Sequence, residues 1–136
     1  MNPQSFVPVI LSLLFATFGW RIAREISLSD QRRKTWLLFG DYLNFISMLS
    51  VLIFCIIVPL KTDTFSTLSR VTMAVSFVLI VFYPIMLAGH YCLFSAEGRE
   101  KYPRKGKDVP WLADQEKIVI VIALICAAVA GWYIAQ

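Results

Sequence analysis

The sequence predicts an all-α integral membrane protein with four transmembrane helices in two hairpins, both termini outside and no soluble domain. The 136-residue chain is 58% hydrophobic and only 16% charged, whereas charged residues make up about a quarter of a typical soluble domain. Its mean hydropathy is +0.68. Each predicted helix is built around a segment that contains no Asp, Glu, Lys or Arg: 1–20, 42–60, 71–96 and 118–136. About 18 such residues suffice to cross a bilayer as a helix. The segments are apolar on all sides, which favours helices over the alternating strands of a barrel.

A single domain, residues 1–136, contains all four predicted spans. They cover about 5–24, 36–60, 68–94 and 115–134, with cytoplasmic loops at 25–35 and 95–114. Trp36 opens the second span as an interfacial aromatic residue. Pro84 lies inside the third span, where neighbouring helices can accommodate a kink. The two hairpins show no internal repeat.

The orientation follows from the placement of basic residues. Eleven of the thirteen Lys and Arg residues fall in segments 21–41 and 97–117. The positive-inside rule places both segments in the cytoplasm and both termini outside, with a bacterial cytoplasmic (inner) membrane as the expected setting. The N-terminal segment is not a secretory signal, because Arg21 and Arg24 follow its apolar stretch instead of preceding it.

Asp41 and His90 are ionisable side chains of the second and third predicted spans, and they lie near the same membrane surface. Asp41 is five residues into the second span, and His90 is four residues from the end of the third. A charge in the membrane is costly unless it is paired or hydrated, so we predict an Asp41–His90 pair. The pair would be a structural hydrogen bond or, alternatively, an ion or proton site. A second span that begins after Asp41 would instead place this carboxylate at the headgroups.

The third span carries a polar stripe, because residues seven apart fall on nearly one helix face. Its members are Ser69, Thr72, Ser76, Tyr83 and His90. The stripe predicts a packing seam, since hydroxyl groups commonly bond between membrane helices. The alternative is the lining of a pore formed by several copies. Polar residues of the second span are expected to meet the stripe: Asn44, Ser47 and Ser50.

Two further patterns indicate contacts. Ala123, Ala127 and Gly131 form a ladder of small residues on one face of the fourth span, which lets another helix approach closely, either within the bundle or from a partner. A basic cluster in the third loop predicts contact with anionic lipid or serves only to set the topology. Its members are Lys101, Arg104, Lys105 and Lys107.

No catalytic motif is present, and neither an enzyme nor a cofactor is expected. The three cysteines are isolated in apolar surroundings and are read as small buried hydrophobes: Cys55, Cys92 and Cys126. One histidine cannot form a bis-His haem site, and no second His or nearby Cys completes a metal site. Because the basic residues flank the apolar segments, they indicate membrane topology and not nucleic-acid binding.

The expected function is that of a non-catalytic accessory, assembly, regulatory or immunity-type subunit. It would pack its helices on a membrane protein partner or on a second copy, within the lipid bilayer. The alternative is a small homo-oligomeric channel or transporter. Its path would follow the polar stripe, with Asp41 and His90 near the cytoplasmic mouth.

Overall fold

The computed structural model describes residues 3–30, 37–97 and 111–136, and its architecture is four long helices. After a short 3-10 turn, Pro3–Phe6, they are α1 (Val7–Asp30), α2 (Phe39–Thr62), α3 (Thr67–His90) and α4 (Asp114–Ala135). No strand occurs in these three segments. All four helices are long and apolar enough to cross a membrane, which confirms the four predicted apolar helices and suggests an integral membrane protein.

The helices differ from the predicted spans mainly at their ends. Helix α1 continues to Asp30, six residues past the predicted end and into the predicted loop 25–35. Helix α2 begins at Phe39, three residues after the predicted start, and α3 ends at His90, four residues before the predicted end. Hydropathy alone does not locate these ends. Leu38 is already extended, and the chain turns after Tyr91.

Helix α3 occupies the centre of the bundle. It packs most extensively against α4 and also against α2, while α1 packs mainly on α2 and has the least cover from its neighbours. Two clusters of apolar side chains form the core. The first joins α1, α2 and α3, and includes Val7, Ile10, Leu14, Val51 and Ile80. The second joins α3 and α4, and comprises Met86, Val119, Ile120 and Ala123.

The predicted ladder of small residues on α4 faces α3 of the same chain. Ala123, Ala127 and Gly131 are all buried. A Cβ atom on Gly131 would lie 3.2 Å from Cγ2 of Val75 on α3. The sequence left open whether this ladder contacts a helix of the same bundle or a helix of a partner. In this chain it contacts α3 of the same bundle. Of the cysteines, Cys55 and Cys92 are buried, whereas Cys126 is exposed on α4.

Helix α2 passes through a π-helical turn, Leu52–Ile57, just before Pro59. In this register the N–H of Val58 donates to the carbonyl of Ile53. The corresponding partner of the Phe54 carbonyl would be Pro59, which has no N–H. That carbonyl accepts a hydrogen bond from Oγ of Ser69 on α3 at 2.6 Å. The wider turn therefore lets α2 continue past the proline, with a hydroxyl from α3 supplying a donor.

Candidate functional site

A buried polar site lies where the C-terminal half of α1 and the C-terminal end of α3 meet the N-terminal ends of α2 and α4. We call it the ionic network and define it by the side chains that bond or stack there: Arg21, Arg24, Glu25, Asp41, Tyr83, His90, Tyr91 and Glu116. The acidic groups on α2 and α4 stand in the first turns of those helices. Helix N-termini favour negative charge, so the dipoles of α2 and α4 favour the buried carboxylates of Asp41 and Glu116.

Asp41 is the centre of the first half of the network. Its Oδ2 accepts hydrogen bonds from Nε of Arg21 at 2.9 Å and from the backbone N–H of Leu38 at 2.7 Å. Its Oδ1 accepts one from the hydroxyl of Tyr83 at 2.6 Å. Arg21 also pairs with Glu25, one turn further along α1. A single carboxylate, fully buried, thereby joins α1, α2 and α3.

His90 and Glu116 form the second half. Nδ1 of His90 lies 2.7 Å from Oε2 of Glu116, and both side chains are buried. The same oxygen accepts the backbone N–H of Ala113 at 3.3 Å. The two helices approach closely here, because a Cβ atom on Gly89 would lie 3.1 Å from the backbone of Glu116. A side chain at position 89 would therefore crowd the backbone of α4 beside this pair.

Arg24 and Tyr91 connect the two halves. The guanidinium group of Arg24 donates to the hydroxyl of Tyr91 and lies 4.9 Å from the centre of its ring. The Tyr91 ring in turn contacts His90 edge-on, with 5.1 Å between the ring centres. Tyr91 is held by a Schellman motif at the end of α3, in which Cys92 occupies the left-handed position with φ of 52°.

The two hairpins use the same capping arrangement. In α2 and in α4, the third residue is an acid that accepts the N–H of the residue before the helix, a geometry that satisfies an otherwise unpaired donor. Each acid also accepts a bond from the preceding helix, Asp41 from Arg21 in the C-terminal half of α1 and Glu116 from His90 at the end of α3. The same short sequence pattern leads into both helices: a Trp, then a Leu, then an acidic residue four positions after that Leu. It is WLLFGD at 36–41 and WLADQE at 111–116. The two hairpins therefore share a local capping pattern at the start of their second helix.

The predicted Asp41–His90 pair is not formed. Asp41 bonds to Arg21 and Tyr83, and His90 bonds to Glu116. The prediction considered only partners within the second and third spans, whereas α1 and α4 also bring Arg21 and Glu116 into the same layer. The repeated pattern of Trp, Leu and an acid is the sequence signal that could have identified Glu116.

The polar stripe of α3 lies inside the chain, where Ser69, Ser76, Tyr83 and His90 are buried and Thr72 is half-buried. Asn44 is also buried, but its Nδ2 donates to Oγ1 of Thr17 on α1 at 2.8 Å and not to the stripe. Ser47 is buried and Ser50 is half-buried.

Some sequence predictions lie outside the described residues, including the basic cluster of Lys101, Arg104, Lys105 and Lys107. Within 3–30, 37–97 and 111–136, no three His, Cys, Asp or Glu side chains are grouped so that they could hold a metal ion. Next to the network, Nε1 of Trp111 donates to the carbonyl of Leu37 at 3.3 Å, which links the segments that lead into α4 and α2.

The ionic network can hold four helix ends in one arrangement, with each buried carboxylate bonded to donors from its own helix and from a neighbour. No family model, no curated protein and no solved structure matches this chain.

Proposed function

We propose that this protein is a non-catalytic four-span membrane subunit that packs helix α1 on a partner in the bilayer, in an accessory, assembly, regulatory or immunity-type role. The outward face of α1 is the observation that carries the proposal. Small residues recur there every three or four positions, and all are exposed: Ser12, Ala16, Gly19, Ala23 and Ser27. A Cβ atom on Gly19 would have no neighbour within 4 Å.

The comparison with α4 supports this use of α1. Small residues at such spacing allow membrane helices to approach closely. On α4 the corresponding residues are covered by α3, as Gly131 illustrates. On α1 no helix among the described residues covers them, although large side chains flank the face on both sides, including Phe15 and Trp20. The partner is another membrane protein or a second copy of this chain.

The ionic network favours this proposal over the channel alternative. A channel between copies would need outward-facing polar groups, but Tyr83 and His90 are buried and bonded within one chain. The network instead holds the four helices in register, which keeps the outward face of α1 in a fixed position. Flux in proteoliposomes that is abolished by Asp41→Asn or His90→Ala, with folding preserved, would favour the channel.

The proposal includes an orientation. With segments 21–41 and 97–117 in the cytoplasm, both termini face outward, to the periplasm of a bacterial inner membrane. A reporter enzyme that folds only in the periplasm, fused after Gln136, is expected to be active, and a cytoplasmic reporter at the same position inactive. The reverse result would overturn the orientation.

The interface is tested by Ala16→Leu combined with Gly19→Leu. Both changes enlarge exposed positions on α1, so the fold should be retained while the face of small residues can no longer be approached closely by a partner helix. Ala128→Leu is the matched control, because Ala128 is exposed on α4. The tagged proteins are purified from the native membrane in mild detergent, and the mass and composition of each complex are measured.

We expect wild type and the Ala128→Leu control to retain a stoichiometric partner or a dimer, and the double variant to lose it. A complex that survives the double change intact would show that this face of α1 is not the interface. A wild-type protein that purifies alone as a monomer would contradict the proposed role as a subunit.

A further inference from the structure

A cleft of about 500 Å³ opens at the end of the bundle opposite the ionic network. It lies between the N-terminal part of α1 and the C-terminal part of α2, where the π-helical turn and Pro59 alter the course of α2. Its volume is within the range of about 300–1,000 Å³ that small-molecule sites occupy. Val7 and Cys55 line it and are almost completely buried, so the cleft reaches the core of the bundle.

The cleft is polar at one end and apolar along its length. Gln4 and Asp63 lie at the end near the α2–α3 connection, whereas Val7, Leu11 and Ile56 line the deeper part. From Gln4 to Leu11 the chain rises by roughly 10 Å, at about 1.5 Å per helical residue. The Cys55 thiol donates to the carbonyl of Ser69, so it adds no open donor to the wall. This distribution fits an amphiphile with a polar head and an alkyl chain.

The charged residue at the mouth of the cleft indicates which type of lipid headgroup fits there. Asp63 is the only charged side chain among the described residues that line the cleft. With the other described residues its side chain forms no ion pair or hydrogen bond. A carboxylate accepts strong hydrogen bonds from an ammonium group, and it repels a phosphate group that carries no compensating cation. A choline head has a positive charge but no N–H to donate.

We propose that this cleft binds a phospholipid with a primary-amine headgroup, with the ammonium group on Asp63 and one acyl chain along Val7, Leu11 and Ile56. The proposal is independent of the partner surface on α1. It assigns a ligand to the end of the bundle that the ionic network does not reach.

The experiment measures lipid retention by native mass spectrometry of the full chain released from nanodiscs. Each nanodisc contains equal amounts of phosphatidylethanolamine, phosphatidylcholine and phosphatidylglycerol with identical acyl chains. We expect wild type to retain phosphatidylethanolamine about tenfold above the other two, as one charge-assisted hydrogen bond implies. Asp63→Asn should remove this preference, while asparagine still tolerates the left-handed backbone at this position, φ 52°.

A second pair of variants tests the acyl site. Leu11→Trp fills the cleft and should reduce retention of all three lipids at least about tenfold, on the same energetic scale. Leu13→Trp, at an exposed position of the same helix, should leave retention unchanged. Helicity and monodispersity are checked for each variant.

Three results would overturn the proposal. The first is retention of phosphatidylglycerol by wild type that equals or exceeds its retention of phosphatidylethanolamine. The second is a phosphatidylethanolamine preference that persists in Asp63→Asn. The third is equal lipid retention by folded Leu11→Trp and folded Leu13→Trp. Loss of partner binding by the α1 variants leaves all three readouts unaffected, so failure of one proposal is distinguishable from failure of the other.

Discussion

Removing the charge of Asp41 should destabilise the bundle more than any other single change in the ionic network. Asp41 is completely buried and pairs with Arg21, itself 1% exposed. In Asp41→Asn, Arg21 keeps its charge but loses this partner. Breaking a buried ion pair from one side costs about 3–5 kcal/mol. We therefore expect Asp41→Asn to lower the free energy of unfolding by about 3 kcal/mol or more.

Two further variants separate the contribution of the ion pair from that of the Tyr83 hydrogen bond. Tyr83→Phe removes only the hydrogen bond to Oδ1 of Asp41, and a hydrogen bond to a charged group contributes about 1.5–3 kcal/mol. Tyr42→Phe is the matched control, because Tyr42 is exposed on α2, and it should change stability by less than about 0.5 kcal/mol. The expected order of destabilisation is Asp41→Asn, then Tyr83→Phe, then Tyr42→Phe.

The double variant Arg21→Met/Asp41→Leu tests whether the penalty comes from the buried charge of Arg21, which Asp41→Asn leaves without its Asp41 partner. Because both charges are gone, it should be more stable than Asp41→Asn, since apolar replacement of a buried pair is often neutral or stabilising. The assay is loss of helicity during SDS titration of protein in mild detergent. If Asp41→Asn unfolds at the same SDS fraction as Tyr42→Phe, or if the double variant is the least stable of the set, the reasoning about the network is refuted.

Three other predictions use the same assay. Gly19→Ala places a methyl group in open space and should stabilise α1 by about 0.5–1 kcal/mol. Gly89→Ala should destabilise the protein despite the same gain in helix propensity, because its Cβ would lie 3.1 Å from the backbone of Glu116. Equal effects of the two changes would contradict this reasoning. Cys92→Gly should be more stable than Cys92→Ala by about 1 kcal/mol, because only glycine adopts the left-handed backbone without strain; an alanine variant of equal stability would refute the strain. Ser69→Ala should cost about 1–3 kcal/mol, because it removes the donor to a carbonyl in the π-helical turn of α2, and an unchanged unfolding curve would count against that contact.

Composition predicts the four helices well because hydropathy is a property of each segment by itself. The charge-free segment 42–60 lies within α2, and all but the last residue of 118–136 lies within α4, whatever their neighbours are. Helix faces are also partly local, so the α3 stripe and the α4 ladder could be recognised as polar or small faces from their spacing. Which neighbour covers each face depends on tertiary packing, and spacing does not contain that information.

The candidate site was predicted only in part for a related reason. Asp41 and His90 are both in the buried layer, as their positions suggested, but their partners come from the ends of adjacent helices. Arg21 and Glu116 border charged loops in the sequence, where solvent exposure is the ordinary expectation for such residues. Their burial arises only when four helix ends meet. The π-helical turn of α2 likewise depends on Ser69 from α3, which no local pattern identifies.

The charge pairs of the ionic network have a consequence for how the chain enters the bilayer during synthesis. Arg21 pairs with Asp41 inside the first hairpin, and His90 bonds to Glu116 inside the second. Each hairpin can therefore be inserted with its own ionisable groups already matched, instead of exposing a lone charge to lipid until the other hairpin arrives. Separately expressed halves, 1–64 and 65–136, should each become integrated into membranes, and extraction of either half by alkaline carbonate would contradict this. The bonds from Tyr83 to Asp41 and from Arg24 to Tyr91 run between the two hairpins, so they can form only once both are present.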